Sequence, residues 1–114
     1  MRWRFFLVPL LLGVASAAWA GQFVAGTEDV PLMPGLTSVA GSTLVFDKPQ
    51  GRIVETEAQG EVSRVKVLAF YAASLPQLGW RKIDAMQWRR GHERLTLDLQ
   101  GKDGELTVGF TLLP

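Results

Sequence analysis

The chain has 114 residues, with 12 lysines and arginines against 11 aspartates and glutamates, one histidine and no cysteine. That length supports a single domain, and the near-neutral balance withholds the broad basic surface on which nucleic-acid binding depends. Without cysteine the fold must hold by packing alone, and with a single histidine it lacks the ligands of the usual structural zinc sites.

Residues 1–20 read as a secretory leader. Arg2 and Arg4 give a positive start, an apolar run follows over 5–14, and Ala18-Trp19-Ala20 fits the small-x-small rule for cleavage before Gly21. Cleavage after Ala18 is the second choice. The run ending at Ala20 is shorter than the ~20 apolar residues a bilayer core needs, so a clipped leader is expected rather than an anchor. Losing Arg2 and Arg4 takes the basic count from 12 to 10 against 11 acidic residues, a net charge near −1 on the 94 residues that remain. Gly21 stands where a lipoprotein requires cysteine, so no lipid anchor is expected. The periplasm is the expected address, with full secretion the alternative.

Residues 21–41 hold four glycines and two prolines with little periodicity, and they read as an extended arm. Pro31 and Pro34 fix φ and push their predecessors into extended backbone. A stiff polyproline-like segment presenting Val30, Leu32, Met33 and Leu36 is the expectation. Two readings of those side chains stay open: they lie along the domain's own core edge, or they dock onto a partner. The rest of the chain, 42–114, is taken as the folded domain, which should stay folded when 21–41 is deleted.

Strands are expected over 43–47 and 52–57, joined by the turn Asp47-Lys48-Pro49-Gln50-Gly51. Glu55 and Glu57, two apart, belong to the solvated face of that sheet rather than to acid–base chemistry. A helix is expected over 61–78, entered at Gly60 or Ser63, with Glu61 complementing its N-terminal dipole. At 100° per residue Val62, Val65, Leu68, Ala69, Ala72, Leu75 and Pro76 form one apolar arc. Val67, Tyr71 and Leu78 line a second flank, and Phe70 projects among polar residues. Pro76 should loosen the last turn, and Gly79 should cap it in the left-handed conformation.

From Trp80 onward the pattern is β. Segments 80–84 and 87–90 flank Ala85-Met86, either as two short strands or as one bent strand. Gly91-His92 is a turn. Leu95, Leu97 and Leu99 alternate with polar residues, as do Leu106, Val108, Phe110 and Leu112, with residues 100–104 as the hairpin loop between them. The fold class follows: α+β, an antiparallel β-sheet with one α-helix packed on one face, in the order β-β-α-β-β-β. Arg81, Lys82, Arg89, Arg90 and Arg94 gather near Trp80 and Trp88. Interspersed Asp84, Glu93 and Asp98 make this a mixed-charge face more than an anionic-surface platform.

No Ser-His-Asp arrangement, glycine-rich phosphate loop or HExxH motif is present, so no catalytic, cofactor or metal residue is assigned. The stretch Val67-Leu68-Ala69-Phe70-Tyr71-Ala72-Ala73-Ser74-Leu75-Pro76-Gln77-Leu78-Gly79-Trp80, the arm's Thr27-Glu28-Asp29-Val30-Pro31-Leu32-Met33-Pro34-Gly35-Leu36 and the strand Gly51-Arg52-Ile53-Val54-Glu55 resemble a group of small signal-peptide-bearing periplasmic proteins of Gram-negative bacteria. The resemblance implies a compartment and a helix-on-sheet plan, similar to the helix-grip modules of envelope assembly lipoproteins. It implies no catalytic residue. The expected function is an interaction module contacting another envelope protein, with Val30, Leu32, Met33, Leu36, Phe70, Tyr71, Trp80 and Trp88 as its partner-binding residues. The alternative is a small-ligand or lipid carrier binding between helix and sheet.

Overall fold

Alternating residues and well-placed turns build most of the sheet. The computed structural model describes residues 22–114; the expected leader and its expected cleavage site lie outside them. The strands are β1 (Leu36–Ser38), β2 (Leu44–Lys48), β3 (Gly51–Gly60), β4 (Arg81–Asp84), β5 (Gln87–Arg90), β6 (Glu93–Lys102) and β7 (Glu105–Leu113). The helix α1 (Arg64–Ser74) runs on into a 3₁₀ turn, Leu75–Leu78. All pairings are antiparallel, in the spatial order β1-β3-β7-β6-β5-β4, with β2 also paired to β3. The fold class is the expected one, an α+β antiparallel sheet with one helix.

β1 and β2 pair successive parts of the same strand, Leu36–Ser38 against 58–60 and Leu44–Lys48 against 51–55. Together they are one interrupted edge strand whose excursion, 39–43, is tied down locally. Val39 N–H donates to the Glu57 carbonyl, Ser42 Oγ accepts from Glu57 N–H at 3.1 Å, and the Thr43 and Thr56 hydroxyls share a hydrogen bond of 2.7 Å. Segments 80–84 and 87–90 are not one bent strand. They form a hairpin around Ala85-Met86, closed where Asp84 Oδ1 accepts from Met86 N–H at 2.8 Å. The Gly91-His92 turn falls where expected, between Arg90 and Glu93, whereas the loop expected over 100–104 shrinks to Asp103-Gly104 because 100–102 pair as strand with 105–107.

The helix starts later than its pattern suggested because Ser63 is the cap: its Oγ accepts from Lys66 N–H. Glu61 precedes the cap, and the carboxylate at the helix start comes from the β6–β7 turn, where Asp103 Oδ1 accepts from Arg64 N–H at 2.9 Å. Pro76 cannot donate to the carbonyl four residues back, so the α-helix ends at Ser74 and tightens to 3₁₀ geometry. Gly79, at φ 92°, then reverses the chain.

The helix is rotated from the expected arc. Val67, Tyr71, Ser74 and Leu75 face inward, while Val65 is 75% exposed and Ala69 and Ala72 face solvent. Both flanks were apolar, and the one with the larger side chains won, since burial free energy follows apolar area. Phe70 does not project among polar side chains. It packs partly buried against the core, edge-to-face with Tyr71 at 4.9 Å.

One helix of ~10 Å diameter cannot cover six strand positions spaced ~4.8 Å apart. The arm covers the remainder: Val24, Val30, Leu32, Met33 and Leu36 join Ala58, Val62, Trp80, Trp88, Leu95, Leu97, Leu106, Val108 and Phe110 in one cluster. The arm is not a stiff extended segment. Val24 N–H donates to Val30, Leu32 N–H donates to Gln22, and Phe23 bridges to Pro31, so 22–32 folds back on itself. Met33-Pro34-Gly35-Leu36 is a turn closed by Leu36 N–H on the Met33 carbonyl, with Gly35 at φ 99°. That is type II chemistry, proline then a residue of positive φ. The boundary expected at residue 41 is therefore absent from the packing.

Candidate functional site

Of the eight residues expected to bind a partner, seven are buried inside the domain: Val30, Leu32, Met33, Leu36, Tyr71, Trp80 and Trp88. The eighth, Phe70, is half-buried against the same cluster. Of the two readings left open for the arm's side chains, the packing matches the first: they lie against the domain's own core, where the arm and the helix flank meet each other. Tyr71 Oη donates to the Pro31 carbonyl at 2.8 Å, and burial pushes the phenol's pKa up. That bond joins the middle of the helix to the middle of the arm.

A second clasp sits at the other end. Arg90 Nη1 donates to Asp29 Oδ2 at 2.7 Å and to the Leu78 carbonyl, Nε donates to Glu93 Oε1 at 3.0 Å, and the guanidinium lies 4.3 Å over the Trp80 ring. Burial works against its charge, but the hydrogen bonds and charges of Asp29 and Glu93 outweigh that cost and hold it protonated. Beside it opens a cleft of about 510 Å³ lined in part by Arg52, Asp29, His92 and Pro114. Four surface clefts, this one among them, are lined by strand, turn and arm residues of the described chain and not by the helix. The space between helix and sheet, where a carrier would hold its ligand, is taken by Val67, Tyr71, Leu97 and Phe110.

The solvent face of the sheet has three zones. Glu55, Glu57 and Asp98 form an acidic stretch over β3 and β6. At one edge β2 is exposed along its whole length, with Leu44 50%, Val45 43% and Phe46 49% exposed. Toward the other edge the register sets Arg81 opposite Arg89, Arg89 opposite Arg94, and Arg94 opposite Leu113. Opposed residues share a face, so three arginines form a ladder across β4, β5 and β6. Arg81, Arg89 and Arg94 also line one cleft of about 380 Å³ with Lys82, Ile83 and Gln87. The pleat divides the basic cluster seen in the sequence, with Arg90 opposite Glu93 and Lys82 opposite Trp88, although Lys82, on the edge strand, still lines the same cleft.

No protein-family model, curated protein or solved structure matches the chain. Its surface chemistry therefore rests on its own residues. Among the described residues no three histidines, cysteines or carboxylates stand close enough to hold a metal, and no helix is long and apolar enough to cross a membrane. The β2 edge was missed in the sequence because hydrophobic alternation reports a strand, not whether its second neighbour exists. The arginine ladder needs the strand register, which no local pattern contains.

Proposed function

We propose that this chain is a small exported binding module of the cell envelope, and that it takes up an extended segment of a partner protein along the free edge of β2. The observation that carries this reading is the contrast between the two edges of the sheet. β4 is short, carries Arg81 and Lys82, and has a register shift between Lys82 and Asp84. Charge and irregularity of that kind block strand addition. β2 carries its charges, Asp47 and Lys48, only at its end and pairs with β3 without a register shift, leaving Leu44, Val45 and Phe46 consecutive, apolar and exposed on both faces, with no proline among them. A partner strand there would gain main-chain hydrogen bonds, with the alternate side chains Leu44 and Phe46 as one set of contacts and Val45 as the other.

The test is a photo-crosslinking residue placed at Val45 and, as control, at Lys66 on the exposed helix surface, in cells that export the protein. A peptide from the protein captured at Val45 should then protect the β2 amides from hydrogen exchange, and Val45→Lys should abolish that binding. Crosslinking no stronger at Val45 than at Lys66, or protection confined to the arm or helix, would overturn the reading. Capture of a second copy of the chain would replace the partner with self-association.

A further inference from the structure

We infer a second binding surface, independent of the β2 edge: the arginine ladder Arg81–Arg89–Arg94, with Ile83 and Leu113, docks on the phosphate headgroups of an anionic lipid membrane. The first support is how the arginines are partnered. Among the described residues Arg52 pairs with Asp47, Arg64 with Asp103, and Arg90 with Asp29 and Glu93. Arg81, Arg89 and Arg94 form no ion pair, and they are the ones that register sets directly opposite one another. Like charges facing across adjacent strands destabilise a sheet. Arg89 and Arg90 are neighbours in sequence, yet Arg90 pairs with Asp29 and Glu93 and stacks on Trp80 on one side of the pleat, while on the other side the residues directly opposite Arg89 are Arg81 and Arg94.

The second support is the shape and lining of the place. Arg81, Arg89 and Arg94 line a single open concavity together with Lys82, Ile83 and Gln87, and Ile83 is 48% exposed. Leu113 extends the same cross-strand row from Arg94 and is 36% exposed. Guanidinium groups bind phosphate oxygens through paired N–H donors, and apolar side chains beside them suit an amphiphile better than a free ion. A single-stranded nucleic acid would need aromatic platforms beside the cations, and the neighbouring Trp80 and Trp88 are buried on the other side of the sheet. The acidic stretch of Glu55, Glu57 and Asp98 lies farther along the same face. Docking is therefore tilted onto the β4–β6 side and does not use the face as a whole.

The experiment is sedimentation of the exported protein with vesicles of phosphatidylcholine alone and with a one-third share of phosphatidylglycerol. Binding is expected to the anionic vesicles only and to fall steeply as salt is raised from about 0.05 M to about 0.5 M, where the Debye length shrinks toward the contact distance. At roughly 1 kcal/mol per cation near an anionic surface, Arg89→Ala and Arg94→Ala should each lower partitioning about fivefold and the double variant about 25-fold. Lys66→Ala, on the helix, should leave it unchanged. The double variant must melt no lower than the parent, since it relieves like-charge contacts. Equal binding to both vesicle types, retention by the double variant, or binding of inorganic phosphate without binding of anionic vesicles would each overturn the inference.

Discussion

Tyr71 shows how one side chain can be structural where its type suggests recognition. Its ring lies between Phe70 and Phe110, edge-on to both at 4.9 and 5.7 Å, and its hydroxyl is spent on the Pro31 carbonyl. The phenol is fully buried, so the folded state favours its neutral form and its pKa rises above the ordinary value near 10. The linkage has a definite sign. The stabilisation is present in full below pH ~10, and it is lost as pH climbs through the interval above, where an unfolded chain would release the proton and the folded one would not. Tyr71→Phe should remove that part of the alkaline loss. Urea midpoints of parent and variant, taken at pH 8 and pH 10.5, should differ more at the lower pH. At pH 8 the variant should be less stable by about 1 kcal/mol, the net value of one hydrogen bond, with the Pro31 carbonyl left unpaired.

At the level of elements, the long hairpin β6–β7 is the spine of the domain. Nine cross-strand pairs join its strands, Arg94–Leu113 through Lys102–Glu105, and its turn holds the helix start through Asp103 and through Gly104 N–H on the Val62 carbonyl. Leu97 sits mid-strand opposite Phe110 and is 3% exposed. Leu97→Ala should cost about 2–5 kcal/mol, read from the shift of the urea midpoint at constant slope. The pairing of this hairpin was legible in the sequence, because period-two alternation and an Asp-Gly turn specify it locally, but not its length: Gln100, Gly101 and Lys102, expected in the loop, are paired strand residues. The helix was legible as a helix, with its Gly79 cap, but not in its rotation: Val62 to Leu78 offered two apolar flanks, and only Trp80, Phe110 and the arm decide which is inside. The arm was misjudged for a more specific reason. Pro34-Gly35 carried a type II turn signature, and reading both prolines as stiffeners hid the fold-back. The candidate surfaces were the least legible part, since an open edge and a charge ladder are properties of pairing rather than of any strand alone.

For the molecule as a whole, the decisive fact is that a broad sheet is covered by one short helix, so the remaining cover comes from residues 22–36. This reverses the expected consequence of removing the arm. Val24, Val30, Leu32, Met33 and Leu36 are each at most 9% exposed. Burying an aliphatic side chain contributes roughly 1.5–3 kcal/mol, so the five together supply roughly 8–15 kcal/mol, comparable to the whole net stability of an ordinary domain at ~5–15 kcal/mol. Deletion of 21–41 should therefore unfold the domain rather than strip it of a partner. It also removes β1, the Tyr71 acceptor and the Asp29 arm of the Arg90 clasp. The signature should be loss of the near-ultraviolet dichroism of Trp80 and Trp88 together with a lost cooperative melt, while far-ultraviolet strand signal from β6–β7 persists in part. A deletion variant that melts cooperatively with its tryptophan signal intact would show that helix and sheet are sufficient, and that the arm's burial is an accessory to the fold rather than its missing layer.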